Sequence, residues 1–227
     1  MATFVLIHGA FSGGWSWDKV KPYLEKAGHR VLTPDLPGHD KPGTNVPEGH
    51  NVQTYAEAVA RLLDKQPEPV ILVGHSMGGT VVSQAAEYRP DKVKKLVYVC
   101  AFLLRDGESL KDRRGGKLDP LNTPYQVLKD QLFADCADED VRRHIARMVQ
   151  EPQGVGPAAI HITEANYGRI PRVYITCLRD NAIKPETQQQ MYTDTPCERV
   201  ITMDTSHAPL LAKPKELAEN LLSVLED

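Results

Sequence analysis

Six short apolar runs punctuate the chain, and several are apolar at consecutive positions rather than at alternate ones. They are TFVLIHG (3–9), RVLTPDL (30–36), PVILVG (69–74), KKLVYVCA (94–101), PRVYITC (171–177) and ERVITM (198–203). A strand that is apolar on both sides must be covered on both sides, which is the situation of a central strand in a parallel sheet. Helical patterns lie between the runs. WDKVKPYLEKAG has Ser16 as a candidate N-cap, Pro22 in a first turn or at a kink, and Gly28 as a stop. NVQTYAEAVARLLDKQ sets Tyr55, Val59, Leu62 and Leu63 on one face. MGGTVVSQAAEYRP and KPKELAENLLSVLE complete the set. Strands alternating with helices predict an α/β fold with a doubly wound, mostly parallel sheet.

That rhythm fails between about Leu103 and Tyr167, where no strand is legible and charge, proline and glycine accumulate. Two amphipathic helices fit there, PYQVLKDQLFADC and DEDVRRHIARMVQ, the second with acidic residues at its start and Val141, Ile145 and Met148 at helical spacing. A connector of that length is usually functional, so residues 103–167 are expected to form a helical lid inserted into a core made of 1–102 and 168–227. The 227 residues suffice for one such domain.

Composition narrows the class. A net charge of −3 offers no basic excess for nucleic acid. The four cysteines form no C-x-x-C pair, so neither a metal site nor a disulfide framework is signalled, and three of them lie near strand-like runs where reduced, buried thiols are expected. The first apolar run is too short for a secretory leader and no later run could span a bilayer, so a cytoplasmic protein without membrane partners is expected.

The chemistry starts where the third run meets Gly74-His75-Ser76-Met77-Gly78. This is G-x-S-x-G between a strand and a helix, a turn sharp enough to strain the serine backbone and to exclude bulky neighbours. A plain strand–turn–helix junction is the competing reading. A serine hydroxyl needs a base to take its proton. Of eight histidines, His207 follows the last strand and so emerges at the same sheet edge as Ser76. His8 and His75 adjoin strand ends, His29, His39 and His50 fall in polar loops, and His144 and His161 in the insertion. The base in turn needs a carboxylate, and the chain order serine, acid, histidine favours Asp180, directly after the PRVYITC run. Asp194 sits inside or after a helix, and Asp204 lies too close to His207 in sequence to reach beneath its ring.

An oxyanion requires two fixed N–H donors. The Met77 amide is one candidate, and the Ala10 amide in the HGAFSGGW turn is the other. That turn lacks the G-K-[ST] ending of a phosphate loop, and no cofactor motif is present. Gly9, Phe11 and Trp17 are candidates for the substrate pocket, with ordinary core packing as the alternative for the tryptophan.

Four stretches, FVLIHGAFSGGWSWDKVKPYLEKAGHRV, VILVGHSMGG, RVYITCLRDNAI and the H-x-P-x-x-x-x-P end that begins at His207, resemble the α/β-hydrolase superfamily. More narrowly they resemble the plant methylesterase and hydroxynitrile lyase group and its bacterial carboxylesterase relatives. The likeness covers roughly 3–101 and 168–225. It implies a triad of Ser76, Asp180 and His207, with Ala10 and Met77 as the oxyanion donors. In the lyases a threonine stands at the position of Gly9 and a lysine directly after the catalytic histidine, where this chain has Ala208. That difference favours the esterase branch. Asp40 departs from the commoner PGHG, and the insertion is shorter than in the plant enzymes.

The expected activity is therefore cofactor-free, metal-free hydrolysis of small to medium carboxylic esters through an acyl-enzyme on Ser76. The alternatives are a hydroxynitrile lyase-type or lactone-cleaving enzyme of the same fold, and a ligand-binding receptor without turnover. The amphipathic faces of the insertion and of the last helix leave a homodimer open.

Overall fold

The computed structural model describes residues 1–113 and 119–226. Residues 114–118, part of the expected insertion, and Asp227 lie outside the described residues.

All six apolar runs form strands: β1 (Thr3–Ile7), β2 (Arg30–Leu32), β3 (Val70–His75), β4 (Val93–Val99), β5 (Arg172–Cys177) and β6 (Arg199–Met203). They pair in parallel throughout, in the order β2-β1-β3-β4-β5-β6. β2 is shorter than its run because Pro34 has no N–H for the ladder. The chain steps from β1 outward to β2, then returns past β1 to β3. The strand order therefore reverses between β1 and β3, and a crevice opens there beyond their carboxyl ends.

Alternate residues of the central strands feed two cores. Val5, Ile7, Leu72, Leu96, Tyr98 and Tyr174 share one with α2 (Val52–Asp64) and α3 (Gly78–Tyr88). Phe4, Leu6, Ile71, Val73, Val97 and Ile175 share the other with α1 (Lys21–Lys26) and α9 (Pro214–Ser223). The α2 helix begins at a capping box: Asn51 Oδ1 accepts the Thr54 N–H at 2.9 Å and Thr54 Oγ1 accepts the Asn51 N–H at 2.9 Å. Ser16 does not cap a helix. It lies inside a 3₁₀ turn, Gly14–Trp17, and α1 starts later, at Lys21, with Pro22 in its first turn. A proline tolerates the first turn because the N–H it lacks would have no partner there.

Between β4 and β5 the chain forms α4 (Leu110–Arg113), α5 (Tyr125–Leu132) and α6 (Asp138–Ile145). The last two are the helices read from their periodicity, but α6 ends at Ile145, so Met148 follows in a turn. Phe133, Cys136, Val141 and Met148 of this segment pack with Phe11 and Ala208 in a third, smaller cluster over the sheet edge. Among the described residues α7 (Pro185–Asp194) and α8 (Pro209–Ala212) complete the α-helices. Among the described residues no helix is long and apolar enough to cross a membrane.

Candidate active site

The serine at the end of β3 is held in a conformation that an L-residue rarely adopts. Ser76 has φ +52, in the left-handed region. Its backbone is locked on both sides: its N–H donates to Val99 C=O at 3.3 Å, and its C=O accepts from Gly79 and Phe102 N–H at 3.0 Å each. The glycines around it serve close approach. A Cβ on Gly74 would stand 2.6 Å from Gly78 O, one on Gly78 2.7 Å from His8 O, and one on Gly79 2.4 Å from Phe102 O. Strand and helix thus meet at backbone distance, which lifts the serine side chain clear of the turn.

Residues that the sequence placed at one sheet edge come together there. Ser76 Oγ lies 2.9 Å from His207 Nε2, and His207 Nδ1 lies 2.7 Å from Asp180 Oδ2. The carboxylate acceptor puts the ring proton on Nδ1 and leaves the Nε2 lone pair for the serine. Asp180 is 2% exposed and accepts three further bonds. The Ala182 and Ile183 N–H groups donate to Oδ1 at 2.8 Å each, and Gln188 Nε2 donates to Oδ2 at 3.1 Å. The competing carboxylates are engaged elsewhere, Asp204 with Arg179 at 2.7 Å and Asp194 with Arg113 at 3.5 Å.

The Ala10 and Met77 N–H groups have no hydrogen-bond partner within the described residues, and both residues border the same cavity. The cavity, of about 240 Å³, is otherwise lined by Gly9, Phe11, Ser12, Phe133, Met148 and Ile183, among others. Gly9 sits so close that a Cβ would reach 3.0 Å from both His75 Nδ1 and Ser76 Cβ. Trp17 is not at the cavity. It is fully buried in the core on the α1 side, edge-on to His75 at 6.3 Å, while Ser16 takes a place in the lining. The 3₁₀ turn rotates alternate side chains differently from the helix expected there.

Three histidines around the site are held neutral. His75 Nε2–H donates to His207 C=O at 2.8 Å, and burial together with the neighbouring His207 pushes its pKa down to about 3. His144, from α6, is likewise pushed to about 3 by burial and by Arg147; its Nε2 shares a hydrogen bond of 3.1 Å with Ser12 Oγ at the cavity wall. His8 is depressed by burial and by His39. It donates to Gly9 C=O at 2.8 Å and accepts the Leu36 N–H at 3.0 Å. Sequence reasoning missed His39, assigned to a polar loop but in fact buried beside Glu151, and it missed Asp135, which binds the Ser206 N–H at 2.9 Å next to His207. Neither had a local signal, because Glu151, which buries His39, and Ser206, which Asp135 holds, are distant in sequence. The cysteines are free, and three of the four are buried. Cys100, His75 and His207 present ligand atoms within 4.8 Å of one another, but both nitrogens of His207 are engaged, Nδ1 with Asp180 and Nε2 with Ser76.

Known proteins share this architecture. The chain is 30% identical to methylesterase 2 of Arabidopsis thaliana over 99% of its own length and 96% of the relative's. It is 32% identical to the putative chloroplastic methylesterase 11 of the same plant, of which it spans 63%. Among solved structures, a pyrethroid hydrolase from Sphingobium faniae superposes with a TM-score of 0.84 at 29% identity, covering 99% of this chain and 97% of that one. Residues 4–220 match the model of the alpha/beta hydrolase family, and the chain belongs to that family.

Proposed function

We propose that the protein is a serine carboxylesterase acting on small to medium carboxylic esters. The observation that carries this is the unbroken relay from Asp180 through His207 to Ser76, with separations of 2.7 and 2.9 Å, bordered by two amides that have no partner among the described residues. His207 takes the Ser76 proton as Oγ attacks the ester carbonyl. The Ala10 and Met77 N–H groups receive the charge that develops on the carbonyl oxygen. Such donors stabilise it because they are already oriented and lie out of bulk water. The imidazolium, stabilised by Asp180, then protonates the departing alkoxide. A water deprotonated by His207 clears the acyl group by the reverse sequence. The described residues of the 103–167 insertion act as the lid, giving Phe133, His144 and Met148 to the cavity wall.

Names and positions support the ester over the nitrile. Relatives matched over nearly their whole length are called methylesterases, among them methylesterase 2 of Arabidopsis thaliana and methyl jasmonate esterase 1 of Vitis vinifera. Ala208 supplies no cation directly after His207 to stabilise a departing cyanide, and a threonine at Gly9 would crowd the site, its Cβ standing 3.0 Å from His75 Nδ1 and Ser76 Cβ. The test is hydrolysis of p-nitrophenyl esters of rising acyl length by the wild type and by Ser76→Ala. Loss of the nucleophile should lower kcat by about 10⁶-fold, to background. Equal rates in both proteins, or an inert wild type that releases cyanide from mandelonitrile, would remove the esterase reading.

A further inference from the structure

Behind the cavity wall lies a buried polar cluster that the chemistry above does not use. It centres on Glu151, whose side chain is 8% exposed, and on His39, whose side chain is fully buried. The two approach at 3.4 Å. Glu151 Oε2 accepts the Tyr55 hydroxyl at 3.2 Å, and that hydroxyl oxygen lies 3.1 Å from His39 Nε2. Burial alone would push His39 down, but Glu151, the Ser12 carbonyl and Asp35 outweigh it and hold the imidazole above its ordinary value. A carboxylate in such a place needs a partner of opposite charge, and His39 supplies it.

The cluster grips one short turn. Phe11 has φ +64, a conformation costly for a residue with a bulky Cβ, and it directly follows Ala10. The Phe11 N–H donates to Glu151 Oε1 at 3.0 Å, and the Phe11 C=O accepts the Val149 N–H at 2.9 Å. One strap, residues 149–151, therefore holds both faces of the strained residue. His39 Nδ1–H donates to the next carbonyl, that of Ser12, at 2.6 Å. The strap is itself tied down: Gln150 N–H donates to Thr44 C=O at 3.0 Å and Gln150 C=O accepts the Val46 N–H at 2.9 Å.

We propose that Glu151 is a positioning residue for the oxyanion turn: its carboxylate, seated against His39, fixes the Phe11 amide and through it the direction of the Ala10 N–H at Ser76. This rests on the reading of Ala10 as an oxyanion donor. Glu151 touches neither substrate nor reacting atoms and acts through the turn. Its removal leaves Phe11 free to relax toward a negative φ, which turns the Ala10–Phe11 peptide and, through the dihedral angles of Ala10, shifts the Ala10 N–H off its target. Removing an oxyanion donor costs about 100- to 1000-fold in kcat, so loosening one should cost about 10- to 100-fold.

The experiment measures kcat and KM on p-nitrophenyl acetate, and inhibition by an alkyl trifluoromethyl ketone, for the wild type and three variants. The ketone's hemiketal oxygen occupies the same donors as the transition state, so its affinity reads the oxyanion turn directly. Glu151→Ala should lower kcat about 10- to 100-fold with KM within about threefold, and weaken ketone binding in proportion. Glu151→Gln keeps an oxygen in reach of the Phe11 N–H and should retain kcat within about fivefold. Glu151→Asp keeps the charge for His39 but is one methylene short, and covers the case in which Glu151→Ala fails to fold. It should lose kcat and ketone affinity together at a near-native melting temperature. A folded Ala or Asp variant with kcat within about twofold of wild type overturns the proposal alone, as does a kcat loss without weaker ketone binding. A wild type inert to esters overturns the esterase reading and this proposal with it.

Discussion

Asp180 shows how a single residue is tuned by where its backbone leaves the sheet. It lies just past β5, where the Ala182 and Ile183 amides turn back onto Oδ1 and leave Oδ2 for His207 and Gln188. Four donors thus share one buried carboxylate, and the atom facing the imidazole accepts the shortest of these bonds, 2.7 Å. An amide in its place would present an N–H to Nδ1 and favour the tautomer with the proton on Nε2, which cannot take the serine proton. Asp180→Asn should therefore lower kcat by about 10⁴-fold while substrate binding changes little, as steady-state kinetics on p-nitrophenyl acetate would show. A loss below about tenfold would mean that another group orients His207. Ser76, Asp180 and His207 were legible in the sequence because each follows a recognisable strand, and parallel strands deliver such residues to one edge. His39 was not legible: its loop reads as polar, and the Glu151 that buries it belongs to a strap whose other contact, Phe11, is 140 residues away.

At the scale of elements, the segment between β4 and β5 does more than cover the cavity. It reaches the turn at Phe11 and Ser12 through His144, Val149 and Glu151, and the histidine loop through Asp135. Asp135 accepts the Ser206 N–H at 2.9 Å, also bonds the Ser206 hydroxyl, and pairs with Arg179 at 3.3 Å. Ser206 is the residue before His207, so this carboxylate from the connector after α5 holds the backbone from which the proposed base projects. Asp135→Ala should lower kcat about tenfold with a smaller change in KM, since a misplacement of about 1 Å can cost 100-fold. Unchanged kcat at a lowered melting temperature would assign Asp135 to folding alone. These attachments explain what was readable in the segment and what was not. Its two helices were visible, the second in the spacing of Val141 and Ile145, because amphipathicity is local. Their docking was not, because it consists of polar bonds between residues far apart in sequence, which carry no periodicity.

The whole molecule stores its histidines unevenly, and this sets how it responds to acid. His8, His75 and His144 are 0, 9 and 7% exposed, and burial depresses all three, the latter two to about 3. In the unfolded chain each would titrate near its ordinary value of about 6.5. Between that value and about 3 the unfolded state therefore binds protons that the native state refuses, so stability falls as the pH drops below about 6.5. A group shifted that far contributes up to about 1.4 kcal/mol per pH unit, so His75 and His144 together contribute up to about 3 kcal/mol per unit, and His8 acts in the same direction. His39 has the opposite sign. Its raised value adds stability that is fully present below about 6.5 and is lost as the pH rises through the folded value, so it leaves the acid limb unchanged. Urea unfolding at pH 7, 6 and 5 measures the slope. His144→Gln, which can keep the bond to Ser12, should flatten that slope by about one proton, or 1.4 kcal/mol per unit. An acid limb no steeper than one proton in the wild type, or unaltered in His144→Gln, would mean that the buried imidazoles take up protons without unfolding the protein.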